Sequence, residues 1–171
     1  MRFAALLAAA LGAVCIQAQP AADEVTSLPG WAGDLPFRMY SGYVDVTDAH
    51  DGSRRLFYWF VEAAFTPATA PVVLWTNGGP GCSGMGGALT EMGPFVVGAD
   101  GTLSRREFSW NKLANMLFIE QPAGVGFSVG NRSYWDDGLA AADNANFVAR
   151  WRSAFPAYAA GPEKGDFNSS I

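Results

Sequence analysis

The sequence predicts an α/β fold in which an antiparallel β-hairpin opens a sheet and a helix packs on it later. Three stretches carry the prediction. Arg38–Thr47 and Arg55–Glu62 read as strands on either side of the turn cluster Asp48-Ala-His-Asp-Gly-Ser53. The apolar run Pro71–Trp75 has the length of a buried strand and breaks abruptly into Asn77-Gly78-Gly79-Pro80-Gly81. From Asp137 to Phe155, Leu139, Ala142, Phe147, Val148, Trp151 and Phe155 recur at three- and four-residue spacing, a helical period.

At the N-terminus, Phe3–Ile16 is an alanine-rich apolar stretch behind Arg2, too short for a convincing membrane span. Small residues near Cys15 and Ala18 make residues 1–18 a secretory signal with cleavage after Ala18. An uncleaved anchor and a lipidated Cys15 are the weaker alternatives. Residues 19–36 contain Pro, Ala and Asp without periodicity and read as an extended lead-in. The folded domain is then 37–171.

In the hairpin's first strand, Met39, Ser41, Tyr43 and Asp45 alternate with Tyr40, Gly42, Val44 and Val46. Its second strand is aromatic and β-branched throughout, Leu56-Phe-Tyr-Trp-Phe-Val61. After the glycine loop, Ser83–Thr90 is small and Gly-rich, either loop or short helix. Met116–Ile119 is a further apolar strand, closed by Gln121-Pro-Ala-Gly124. It would be built to pair on both sides, and its next neighbour is expected to be missing, leaving an apolar edge. Asp136 and Asp137 are suited to cap the helix that follows.

Composition removes several functions. The 171 residues are 50% hydrophobic and 16% charged, which is globular rather than disordered. A formal charge of −5, with no basic stripe, excludes nucleic acid as a partner. One histidine and one cysteine beyond the signal cannot assemble a zinc shell, so neither metal nor cofactor is expected. Cys82 is left odd, which in an exported protein means a free thiol, an intermolecular bridge or a missing partner. Asn131-Arg-Ser133 and Asn168-Ser-Ser170 are glycosylation sequons consistent with export.

The chemistry-bearing residues form half a site. Adjacent glycines after a core strand let backbone N–H groups approach a ligand unobstructed by Cβ atoms. Asn77 donates through its carboxamide, and Gly78 and Gly79 through the backbone. Glu91 adds a carboxylate in apolar surroundings. Gly126-Phe-Ser128-Val-Gly130 matches the Gly-x-Ser-x-Gly pattern formally. It fails the requirement for a strand directly before and a helix directly after, so Ser128 is not read as a nucleophile. Ser83 lacks the closing glycine, and His50 sits in the hairpin turn, a place for a solvated side chain rather than a base.

Taken together, Tyr40-Ser-Gly-Tyr43, Leu56–Glu62, Val73–Ser83, Glu91-Met-Gly-Pro-Phe95, Ser109–Ser128 and Phe155-Pro-Ala-Tyr158 occur in the order of a known family. The chain resembles the serine carboxypeptidases, secreted and vacuolar α/β-hydrolases that release C-terminal residues. The resemblance runs from about Leu35 to Phe167 and matches the front part of a family member. It implies a partial α/β-hydrolase sheet, with Gly79 supplying an oxyanion-hole N–H worth about 3–4 kcal/mol to the transition state. Asn77 and the Gly78 N–H would hold the substrate's C-terminal carboxylate, at roughly 1.5–3 kcal/mol per charge-assisted bond. Trp75 would support that network, and Glu91 would face a second carboxyl, so that one of the two keeps a proton. Cys82 would pair with a cysteine far later in a family-length chain.

In the family, a segment like Phe155–Phe167 leads into the strand and elbow that carry the nucleophile, and here Asn168-Ser-Ser-Ile171 follows instead. The expectation is a carboxypeptidase-family chain holding the donor half of the site, inactive alone and routed to the extracellular space or vacuole/lysosome. The alternatives are an acyltransferase of the same scaffold, in which an alcohol intercepts the acyl-enzyme, and a non-catalytic secreted binding protein. Peptide C-termini are the expected partners, with no membrane association once the signal is removed.

Overall fold

The computed structural model describes residues 20–47, 53–130 and 136–159. The predicted signal, His50 and both sequons lie outside these residues. β1 (Met39–Asp45) and β2 (Arg55–Val61) pair antiparallel, from Met39 opposite Val61 to Asp45 opposite Arg55. β3 (Val72–Trp75) follows, then α1 (Gly84–Thr90), β4 (Phe95–Val97), β5 (Leu103–Arg105), β6 (Asn115–Ile119), α2 (Asp137–Ala154) and α3 (Pro156–Ala159). The main sheet has the order β1-β2-β6-β3 and is mixed, since β6 runs antiparallel to β2 and parallel to β3. β4 and β5 form a separate small hairpin, closed by a turn in which Asp100 accepts from the Thr102 N–H and hydroxyl.

β6 therefore does not form the open edge that its sequence suggested. All five of its residues are buried, and such a strand needs neighbours on both sides and layers on both faces. The edge on that side of the sheet is β3, which is half-exposed and leaves Leu74 39% accessible.

The sheet's two faces divide by strand period. Tyr40, Leu56, Tyr58, Phe60, Leu117 and Ile119 point to one side, where Phe147 and Trp151 of α2 and Phe155 complete a core. Met39, Trp59, Val61, Met116 and Phe118 point to the other, against Ala88 of α1, Met92 and Phe95. Residues 20–36, read as extended, carry a short 3₁₀ turn at Ala21–Asp23 and one bridge from Glu24 to Tyr40. Their apolar members Val25, Leu28, Trp31 and Leu35 pack on this second core.

α2 begins where expected. The Asp136 side chain accepts the Leu139 N–H at 2.7 Å. Its inward stripe differs from the apolar spacing at one turn: Ala142 is exposed and Asp143 is buried. The reason is Arg54, at the entry to β2, whose guanidinium reaches Asp143 through Nε and Nη2 at 3.0–3.2 Å. A buried carboxylate is tolerated only with such a partner.

Candidate functional site

The β3–α1 loop leaves the C-terminal end of a strand that runs parallel to its neighbour, the end at which open α/β sheets place ligands. Gly79 has φ +131° and Gly81 φ +96°, conformations that L side chains rarely adopt. A Cβ on Gly79 would also meet the Gly81 and Cys82 nitrogens at 3.1 Å. The loop is tied internally by the Cys82 N–H donating to the Gly78 carbonyl at 3.2 Å. Among the described residues, the N–H groups of Gly78 and Gly79 donate to no protein acceptor. Both residues are exposed, so these amides face solvent rather than a ladder. Two surface hollows lie along α2 and beside β3.

Asn77 is oriented from several sides. The Trp75 indole donates to Asn77 Oδ1 at 2.9 Å. An indole N–H has no acceptor capacity, so it dictates which end of the carboxamide is oxygen. The amide nitrogen consequently turns outward, where it donates to Glu91 Oε1 at 3.4 Å. Trp75 is braced edge-on against Trp110, with ring centroids 5.7 Å apart. The Asn77 backbone carbonyl accepts from Gln121 Nε2 at 3.4 Å, and Gln121 Oε1 accepts from Asn144 Nδ2 at 3.3 Å. Sequence reasoning assigned no role to Gln121 or Asn144; the Gln121-Pro-Ala-Gly124 turn is the signal that marked the region.

The two serines considered as nucleophiles are both spent on structure. Ser83 caps α1, accepting the Met85 and Gly86 N–H groups at 3.2 and 3.3 Å, and donates its hydroxyl to Glu120. Glu120 is 1% exposed and also accepts the Phe127 N–H, so one carboxylate clamps two loops to the end of β6. Ser128 is 6% exposed, donates to the Glu120 carbonyl at 2.6 Å and accepts the Phe57 N–H at 2.8 Å. Cys82 is free and exposed. Among the described residues no cluster of three or more His, Cys, Asp or Glu side chains could hold a metal, and no helix is long and apolar enough to cross a membrane.

The structure thus brings Trp75, Asn77, Gly78, Gly79 and Glu91 to one loop cluster at the end of β3, on a mixed sheet of the α/β-hydrolase kind. Among family models, "Serine carboxypeptidase" matches residues 29–163. The chain belongs to the serine carboxypeptidase family. It is 48% identical over 144 residues to "Serine carboxypeptidase-like 27" of Arabidopsis thaliana, covering 80% of this chain and 31% of that protein. It is 45% identical over 145 residues to the "Lysosomal protective protein" of Mus musculus, covering 83% and 30%. It is also 47% identical over 142 residues to "P-(S)-hydroxymandelonitrile lyase" of Sorghum bicolor, covering 80% and 28%. The crystal structure of a prohormone-processing carboxypeptidase from Saccharomyces cerevisiae, Kex1(delta)p, superposes with a TM-score of 0.62 at 30% identity, over 73% of this chain and 29% of that one. The chain spans about 30% of the length of the relatives it matches.

Proposed function

We propose that this chain carries the half of a serine carboxypeptidase site that recognises a free peptide C-terminus and would stabilise an oxyanion. The reading rests on one observation: a carboxamide flipped by Trp75 so that its nitrogen faces out, beside two uncommitted backbone N–H groups. Neutral and backbone donors bind a carboxylate without a buried cation, and each charge-assisted bond contributes about 1.5–3 kcal/mol. Asn77 and the Gly78 N–H hold the carboxylate, Trp75 and Glu91 orient Asn77, and the Gly79 N–H faces the developing oxyanion. The mouse relative's name, a lysosomal protein, supports a secretory route to a lysosome-like, vacuolar or extracellular site, with Asn131 and Asn168 as glycosylation positions and Cys82 as half of a disulfide. The reading takes residues 1–18 as a signal, 19–36 as a lead-in and 37–171 as the front part of the catalytic domain.

The 171-residue chain assayed by itself is expected to bind but not to turn over peptide, because Ser83 and Ser128 are both engaged elsewhere. Calorimetric titration with N-acetyl-Phe-Leu and its C-terminal amide tests recognition; tighter binding of the acid is expected, and equal affinity refutes it. Release of leucine from the acid, abolished by Ser128→Ala, would refute the assignment of Ser128 to structure. A second reading follows from the sorghum relative, a lyase by name. The shared front part then sets ligand orientation while other segments set the reaction, which also leaves acyl transfer open.

A further inference from the structure

We infer that Gly87, on the inner face of α1, is the positioning residue that holds the Asn77 carboxamide in its outward-donating orientation. The inference deepens the carboxylate-recognition reading and rests on it for its functional consequence. α1 contains adjacent glycines at 86 and 87 with opposite surroundings. Gly86 is exposed, and a Cβ there meets nothing within 4 Å. Gly87 is buried, and a Cβ there would stand 2.5 Å from Asn77 Oδ1, 2.7 Å from Trp75 Nε1 and 3.2 Å from Asn77 Nδ2. The missing methyl is the space in which the indole–carboxamide hydrogen bond lies. The helix backbone at Gly87 forms one wall of that notch.

The surroundings decide what would yield on adding a methyl. The Asn77 backbone is anchored through Gln121 and Asn144, and the Trp75 ring is braced against Trp110. The methyl would meet both ends of the hydrogen bond, Trp75 Nε1 as well as Asn77 Oδ1, and the freer of the two to move is the end of the Asn77 side chain. Rotating it away breaks the 2.9 Å bond to Trp75 and frees the carboxamide to present its oxygen outward, which repels a carboxylate. Alanine is also a better helix former than glycine, so neither substitution should harm α1 itself.

The test compares Gly87→Ala with Gly86→Ala in the full chain, with Trp75→Phe to assign the Trp75 indole resonance. Gly87→Ala is expected to shift that indole N–H signal and speed its exchange with solvent. It should also lower the acid-over-amide preference for N-acetyl-Phe-Leu at least about tenfold, the loss expected for one charge-assisted hydrogen bond. Gly86→Ala should change neither. If the parent chain shows no acid preference, carboxylate recognition fails and the indole signal alone judges the notch. An indole signal in Gly87→Ala equal to that of the parent overturns the inference. If Gly87→Ala lowers the melting temperature, adding Asn77→Ala together with Trp75→Phe, which removes both crowded atoms, should recover most of the loss. An unrecovered loss would place the clash elsewhere and likewise overturn it.

Discussion

Tyr58 lies in the core with its hydroxyl donating to the Asp23 carboxylate at 2.6 Å, and Tyr158 donates similarly to Glu62 at 2.5 Å. Burial, then the hydrogen bond to a carboxylate, raises the ionisation of both phenols above the ordinary tyrosine value. The folded chain therefore keeps protons that the unfolded chain releases. That stabilisation is whole below the unfolded value, about 10, and is lost as pH climbs from there toward the folded values. Urea midpoints measured between pH 7 and 11 should fall steeply at the alkaline end. Tyr58→Phe should lower the midpoint at pH 7 and flatten part of that fall; an unchanged alkaline slope would show that Tyr58 does not couple to folding. Ser128 teaches the complementary lesson at the same scale. Its five-residue pattern was visible in the sequence, and so was its failure, because no helix follows directly. Its actual work, joining β2 to the end of β6, is invisible locally, since Phe57 is 71 residues away.

Helix α2 could be read nearly to its ends because its cap, period and length are all local properties. The exception is Asp143, which helical spacing places next to the apolar stripe without saying that it is buried. Its burial depends on Arg54, 89 residues earlier, and periodicity carries no information about that pairing. Asp143→Ala should destabilise the chain by about 3 kcal/mol or more, because it removes the carboxylate that faces a buried guanidinium. Replacing both partners, Arg54→Met with Asp143→Leu, should cost much less. Urea midpoints with unchanged slopes would check both values; a single substitution no worse than the double would show that the ion pair does not anchor α2. The β4–β5 hairpin escaped sequence reading for a different reason. Each strand has three residues, too few to establish an alternating pattern.

Across the whole molecule, the sheet is covered on both faces yet ends abruptly at β3. That strand is parallel to β6, its outer edge has no partner among the described residues, and Leu74 beside it is exposed. Next to it, Val73, Phe108, Trp110 and Leu113 line a hollow of about 500 Å³. Parallel strands are ordinarily buried, and an open apolar edge invites pairing with another chain. Sedimentation velocity should show association that grows with concentration and is suppressed by Leu74→Lys. A parent chain that stays monomeric at every concentration would refute this.

Local sequence by itself determined the antiparallel hairpin, the strands on either side of the glycine loop, the long helix and the glycine loop itself. Those features follow from side-chain period and from the special backbone freedom of glycine, both readable over a few consecutive positions. Tertiary structure alone decided that β6 is interior and β3 the edge, that Asp143 is buried, and which way the Asn77 carboxamide faces. The first two are set by partners tens of residues apart, and the third by the Trp75 indole, which meets the carboxamide in a notch left by a glycine on the helix across the loop. Free energy of that kind exists only once the chain has folded.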